Sequence, residues 1–179
     1  MVVTFVVEDG TGLTDANSYI SDTDADDYFD NHGPSARFAL WTAAAGPIRQ
    51  EALRLATQYL DVTYEGRWRG NRTNKTQSLS WPREGVEDDD SFRFDNDVLP
   101  QDLLDATSEA ALRSLTEGTT PLVPDLDTDS QGISRDRVVV GPITSDVSYT
   151  GTNTEFKKFS LVDRLLKSLI HAGGAIVRA

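Results

Sequence analysis

PIRQEALRLATQYLDVTYEGRWRGNRTNKTQSLSWPR, residues 47 to 83, is the stretch that decides the fold of this chain. It opens with Pro47, which suits the first turn of a helix because the N–H that proline lacks would have no intrahelical partner there. Apolar residues then recur at helical spacing and predict one buried face of an amphipathic helix. The residues of that face are Ile48, Ala52, Leu55, Ala56, Tyr59, Leu60 and Thr63.

Two short turns rich in arginine and tryptophan follow this helix, RWRG at residues 67–70 and WPR at residues 81–83. In one interpretation they are a core clasp, in which the tryptophans lock both loops onto the helix and the arginines pair with the many aspartates of the chain. In a second they belong to a subunit interface, where Trp and Arg are enriched. In a third they stack on bases and bind phosphates of a single strand. The candidate residues are Arg67, Trp68, Arg69, Trp81 and Arg83.

The charge of the chain bears on this choice. With 29 acidic and 17 basic residues, the formal net charge is -12. Proteins that bind nucleic acid normally present a basic face, because counterion release from phosphates supplies most of the affinity. The core clasp and the subunit interface are therefore favoured over nucleic-acid binding, although the sequence leaves all three open.

On the N-terminal side, residues 2–8 are β-branched and predict a short strand or an extended arm. Ser21 is a suitable N-cap for a first helix, whose apolar stripe is Ala25, Tyr28 and Phe29. Gly33 and the proline after it end this helix. Phe38, Leu40 and Trp41 follow in a connector that is expected to pack between the first helix and the second.

On the C-terminal side, residues 84–99 predict an acidic, aromatic loop, and Pro100 starts another helix that runs to about Glu117. The segment at 119–132 is typical of a linker. Two short strands of a hairpin are predicted at 138–140 and 143–149, and a helix at 160–171. We expect one mainly α domain, 1–179: a small bundle of about four helices with a short β-hairpin and extended terminal arms. Its parts are an N-terminal arm (1–20), a loop and hairpin (119–154) and a C-terminal helix and tail (155–179).

The sequence carries no recognisable catalytic constellation. His32 and His171 both fall near predicted helix C-termini, where a cation is stabilised. No nucleophile elbow, phosphate loop or dinucleotide glycine pattern occurs. Asp125, Asp127 and Asp129 have the first spacings of a calcium loop, but Ser130 replaces the usual glycine, so calcium binding stays open. We expect no enzyme, no cofactor and no metal site. No apolar run approaches the roughly 20 residues of a membrane span, so no membrane partner is expected.

Several short motifs, in order along nearly the whole chain, carry a resemblance to a known family. The chain resembles small neck proteins of tailed phages, the head-to-tail adaptors or head-completion proteins, which are often labelled DnaT-like single-strand-binding proteins. The motifs are EDGTG (8–12), ANSYI (16–20), DADDYF (24–29), ATQYLD (56–61), YEGRWRG (64–70), LSWPR (79–83), SEAALRSL (108–115) and VGPI (140–143).

This resemblance implies a structural role in the virion neck, after synthesis in the host cytoplasm. Such adaptors form a homo-oligomeric ring, typically of twelve subunits, between the portal protein and the stopper or tail-terminator protein. Genomic double-stranded DNA passes through the lumen without sequence recognition, and an acidic chain suits a channel in which DNA must not stick. The hairpin at 138–149 is the candidate contact with neighbours or the stopper. The candidate portal-docking residues are Leu161, Leu165, Leu169, Ile170 and Ile176.

Overall fold

The computed structural model describes residues 4–33, 35–117, 122, 135–140, 143–148 and 159–171. Within these residues the chain is mainly helical with an antiparallel hairpin, which confirms the predicted fold class. The helices are α1 (Asp22–Asn31), α2 (Ala39–Ala43), α3 (Gly46–Thr63), α4 (Gln101–Glu117) and α5 (Ser160–Leu165), with a 3-10 turn at Ser35–Phe38. The strands are β1 (Asn71–Arg72), β2 (Arg83–Glu84), β3 (Arg135–Val140) and β4 (Ile143–Ser148).

Helix α1 begins as the sequence predicts. The Ser21 hydroxyl accepts a hydrogen bond from the backbone N–H of Asp24 at 3.1 Å, which satisfies one of the free donors of the first turn. The predicted stripe of Ala25, Tyr28 and Phe29 is buried. The connector after α1 contains the 3-10 turn and the short α2. Phe38 of the turn and Trp41 of α2 are buried against Phe29.

Helix α3 packs on α4, and the buried face of α3 differs from the predicted one. The prediction is wrong for Ile48 and Leu55, whose exposed fractions are 51% and 41%. Their side chains lie just outside the buried arc, which is centred further round the helix. Periodicity identified the helix but could not say from which direction its neighbours approach. The buried residues of α3 are Ala52, Leu53, Ala56, Thr57, Tyr59 and Leu60.

Helix α4 is the central element, since α1, α2, α3 and α5 all contact it. Leu103, Ala106 and Ala110 are fully buried along it. Among the described side chains of α4 the deeply buried charge is Glu109, whose carboxylate accepts two 2.8 Å hydrogen bonds from Arg37 and one of 3.0 Å from the Tyr28 hydroxyl. This arrangement ties α1 and the 3-10 turn to α4.

Helix α5 is shorter than predicted, because it ends at Leu165 instead of continuing to His171. The next residues form turns, and Ile170 then pairs antiparallel with Trp68 in a β-bridge. The Leu169 carbonyl and the His171 N–H bond to the loop at residues 67–69, although the Ile170 N–H still donates to the Leu166 carbonyl at 3.1 Å. A tertiary hydrogen-bond pattern thus overrides a local helical preference.

The hairpin β3–β4 pairs in the register Arg135 with Ser148 through Val140 with Ile143. It begins three residues earlier than the predicted first strand and ends at Ser148. The proposed calcium-loop residues 125–129 lie outside the described residues, as does most of the predicted linker. In the part of the chain that the structure describes, no helix is long and apolar enough to cross a membrane.

Candidate interface around the Arg-Trp loops

The two tryptophans of the Arg-Trp loops lie in the interior, in contact with each other. Trp81 is fully buried and Trp68 is 6% exposed. Their ring centroids are 6.1 Å apart at an interplanar angle of 86°, an edge-to-face contact. Tyr64, the C-cap of α3, lies 5.7 Å from the Trp68 ring. Residues 67–70 and 79–83 therefore meet through their aromatic side chains at the end of α3.

Backbone hydrogen bonds join the first loop to the segment after α5. The Arg69 N–H donates to the Leu169 carbonyl at 3.0 Å, and the His171 N–H donates to the Arg67 carbonyl at 2.7 Å. The loop at 67–69 is thus held between the second loop and residues 169–171. We call residues 67–70, 79–83 and 169–171 together the core clasp.

The sequence predicted that these arginines pair with aspartates. Arg83 instead donates its hydrogen bonds to backbone carbonyls inside the core clasp. Its Nε donates to the Arg69 carbonyl and one Nη to the Gly70 carbonyl, both at 2.6 Å, and the other Nη donates to the Ser80 carbonyl at 3.1 Å. Burial lowers the pKa of this guanidinium below its ordinary value because it loses solvent. One planar guanidinium fork therefore fixes both loops by their backbone.

Arg67 and Arg69 are half-buried beside the same loops. The Arg67 guanidinium carbon lies 5.4 Å from the centroid of the Tyr64 ring, within cation–π range. Arg69 donates to the backbone carbonyl of Glu87 at 3.3 Å. Both arginines thus contact the chain itself, while keeping part of their surface in solvent.

A buried polar group that the sequence analysis missed connects the N-terminal segment to the core clasp. The Tyr19 hydroxyl donates to the Asp61 carboxylate, and the Ser80 N–H donates to the other Asp61 oxygen at 3.1 Å. The backbone N–H of Trp81 also donates a hydrogen bond to the Tyr19 hydroxyl oxygen at 3.3 Å. Burial raises the pKa of Asp61, opposed by hydrogen bonds from Tyr19 and Ser80. The pKa of Tyr19 is raised well above its ordinary value, mainly by burial and to a smaller extent by the negative charge of Asp61.

A second missed residue is Glu8, which is 3% exposed. Its carboxylate accepts hydrogen bonds from the N–H groups of Gly10, Gly12 and Leu13 at 3.1, 2.8 and 2.9 Å. The EDGTG motif is therefore a loop wrapped around a carboxylate. The available signal was a glutamate two residues before the first of two closely spaced glycines.

The predicted portal-docking residues lie in different environments. Leu169 is fully buried and Ile170 is 6% exposed, so both side chains pack inside the molecule. Leu161 and Leu165 are half-buried, and only these two of the set present surface to a partner within the described residues. Ile176 lies outside the described residues. Docking of portal at this helix stays a prediction.

Asp88 and His32 both have local structural roles. The Asp88 carboxylate accepts from the N–H groups of Asp90 and Phe92 at 2.9 and 2.8 Å, which closes its own turn. The His32 ring stacks on Tyr28 at 4.3 Å. Among the described residues, no group of three or more histidines or acids is placed to hold a metal ion.

Comparison with known proteins gives one match. The sequence model of the family described as "Putative DnaT-like ssDNA binding protein" matches residues 3–179, nearly the whole chain. Neither the curated proteins nor the solved structures contain a match. The match covers well over half of the sequence, and the chain therefore belongs to this DnaT-like family.

Proposed function

We propose that this protein is a ring-forming head-to-tail adaptor of a tailed virus. In this role it is a structural component of the virion neck, made in the host cytoplasm, and it performs no catalysis. Its partners are the portal protein on one side and the stopper or tail-terminator protein on the other. Genomic double-stranded DNA passes through the lumen of the ring without sequence recognition.

One observation carries this proposal: the aromatic and basic residues that suggest a nucleic-acid grip are used inside the molecule. Trp68 and Trp81 pack on each other in the core, so neither ring face is available for stacking on a base. The Arg83 guanidinium bonds to three backbone carbonyls, so three of its five N–H donors are used inside the molecule. These contacts weaken the argument that this motif binds a nucleic acid.

The charge of the chain and the resemblance described above add support. A net charge of -12 repels the phosphate backbone, which suits a wall along which DNA slides. The ordered motifs from EDGTG to VGPI resemble the adaptor family along nearly the whole chain.

Mass measurement of the purified protein, alone and mixed with portal rings of the same virus, tests the proposal. An adaptor is expected to add a whole set of subunits to each portal ring, even if the free chain is a monomer. A chain that stays free in the presence of intact portal rings would contradict the proposal.

Single-stranded DNA binding is the second candidate, and the family match favours it. It predicts salt-sensitive binding to oligonucleotides, because phosphate contacts release counterions. Since Trp68 and Trp81 are buried, a base would have to stack on another ring, such as Phe92, which is 72% exposed and precedes Arg93. Fluorescence anisotropy with a labelled oligonucleotide at low salt tests this function. Binding that weakens in Phe92→Ala, but not in the buried Trp81→Phe, would support it.

A further inference from the structure

The segment that holds the first two loops of the core clasp is basic, although the chain as a whole is acidic. Residues 67–83 contain five basic residues and no acid, whereas the net charge of the chain is -12. In the structure Arg72 and Lys75 are exposed, and Arg69 and Arg83 are half-buried. We call these four residues the basic patch. The hydrogen bonds of Arg83 within the core clasp explain its own position but not the other three cations.

Strands β1 and β2 bring two cations of the basic patch side by side. Arg72 pairs with Arg83 across the strands, and residues directly opposite each other in an antiparallel pair project from the same face. Burial lowers the pKa of Arg83, and the neighbouring charge of Arg72 lowers it further. Like charges at opposed positions are destabilising. The hairpin of β1 and β2 therefore carries a repulsion that a bound anion would relieve.

No acid neutralises the basic patch in the part of the chain that the structure describes. None of its four side chains has a carboxylate within ion-pair distance there, whereas three basic side chains elsewhere each have at least one. Asp61 acts on Arg83 from beyond that distance, but its two carboxylate oxygens bond to Tyr19 and Ser80. The basic patch is therefore a local positive charge without a counter-ion among those residues.

Neutral acceptors hold the guanidinium groups of the basic patch in place. Arg83 donates to three backbone carbonyls, Arg72 donates to the Gln77 carbonyl at 3.3 Å, and Arg69 to the Glu87 carbonyl at 3.3 Å. Because a guanidinium has five N–H donors, each of these side chains keeps donors for a ligand. Side chains whose positions are restricted before binding lose less conformational entropy on binding. These contacts preorganise the basic patch for an oxyanion.

We propose that the basic patch binds an acidic peptide segment of a partner protein, with Arg72 as the main contact to its carboxylates. The planar guanidinium matches a carboxylate in a bidentate pair, and such charge-assisted pairs are the strong ones. Arg72 is exposed and donates one hydrogen bond within the described part of the chain, so it is the arginine of the patch with the most free donors.

Two features of the surroundings favour a peptide over a nucleic acid as this ligand. The aromatic residues of segment 67–83 are Trp68 and Trp81, and both are buried, so the segment offers no ring on which a base could stack. Glu84 and Glu87 are exposed and border the patch. A long polyanion would meet these negative charges beyond the patch, whereas a short run of carboxylates would not.

Fluorescence anisotropy with a labelled octa-aspartate peptide at low salt tests the proposal. The unmodified chain should bind the peptide, and Arg72→Gln should weaken binding by ~10-fold or more, because a charge-assisted contact is lost. Arg164→Gln is the matched control, since it removes the same charge from an exposed arginine of α5 outside the patch. No binding by the unmodified chain, or equal losses in the two variants, would overturn the proposal.

Thermal unfolding without peptide separates a binding role of Arg72 from a folding role. Arg72→Gln should unfold at the same temperature as the unmodified chain or a higher one, because the repulsion with Arg83 is removed. The peptide should raise the unfolding temperature of the unmodified chain more than that of the variant. A clearly lower unfolding temperature of free Arg72→Gln would show that Arg72 serves the fold, and would overturn the proposal.

An oligothymidine with the same number of negative charges as the peptide distinguishes the two kinds of polyanion. The peptide should bind more tightly than the oligonucleotide. Tighter binding of the oligonucleotide, lost in Arg72→Gln, would contradict the proposal and support single-strand binding instead. The site does not depend on the adaptor function, so a chain that binds portal rings but not the peptide would overturn this proposal alone.

Discussion

Trp68 and Trp81 meet edge to face, with ring centroids 6.1 Å apart, although they come from two different loops after the same helix. Around them, Arg83 bonds to backbone carbonyls of both loops, and residues 169–171 pair with the first loop. This contact joins the end of α3, the WPR turn and the segment after α5. The two tryptophans, which in the sequence suggest nucleic-acid binding, therefore lie in the interior.

The first prediction concerns Trp81, which is fully buried. Trp81→Ala is expected to lower the free energy of unfolding by about 3–5 kcal/mol, because it removes a large ring and leaves a cavity. Urea unfolding checks this, with Phe92→Ala as control, since an exposed ring should change stability by about 0.5 kcal/mol or less. Equal unfolding midpoints for the two variants would show that the core clasp does not hold the fold.

Gly70 in the first loop and Gly66 just before it form a matched pair for the second prediction. Gly66 and Gly70 have nearly equal positive φ, 71° and 68°. A Cβ on Gly70 would lie 2.2 Å from the Glu84 carbonyl oxygen, whereas one on Gly66 would meet nothing within 4 Å. Gly66→Ala should cost about 1 kcal/mol, the strain of a left-handed residue, and Gly70→Ala clearly more. Thermal unfolding of both variants measures the difference, and equal losses would rule out the close approach of Gly70 to Glu84.

The third prediction concerns the buried pair of Arg37 and Glu109. Arg37→Ala leaves a buried carboxylate with the Tyr28 hydroxyl as its remaining side-chain partner among the described residues, which is expected to cost about 2 kcal/mol. This is less than for a fully buried pair, because the Arg37 side chain is 38% exposed. Arg37→Ala combined with Glu109→Met should recover most of the loss, since no charge then remains buried. A double variant as unstable as the sum of its single variants would contradict this explanation.

The fourth prediction is a pH dependence caused by Asp61. Burial raises its pKa above the ordinary 3.8. The folded state then binds the proton more tightly than the unfolded state. As the pH rises from 3.8 through the raised pKa, this group therefore lowers stability. Urea unfolding between pH 4 and 7 should show wild type losing stability relative to Asp61→Asn as the pH rises. A wild type that gains stability relative to the variant over this range would mean that the hydrogen bonds from Tyr19 and Ser80 outweigh burial.

The sequence predicted the elements whose signals are local. Ser21 marked the start of α1, and Pro47 and Pro100 marked the starts of α3 and α4, because capping and proline placement depend on neighbouring residues alone. The direction from which other helices pack is not encoded by neighbouring residues. The sequence therefore placed Ile48 and Leu55 on the buried face of α3, whereas both are exposed.

The candidate site was found only in part, for a similar reason. Trp68 and Trp81 stood out as unusual residues, but two of the carbonyls that Arg83 bonds, those of Arg69 and Gly70, lie in the other loop, and no spacing rule reveals them. Glu8, Asp61 and Glu109 were missed because acidic residues are rarely buried unless they are paired. Their partners become apparent only once the chain is folded.

The most direct test of the proposed function is a competition in one sample. The chain is mixed at low salt with portal rings of the same virus and a single-stranded oligonucleotide, and native mass spectrometry identifies every complex. The adaptor function predicts rings of this chain on the portal and free oligonucleotide. Chain bound to the oligonucleotide, with the portal rings bare, would contradict it and establish single-strand binding instead.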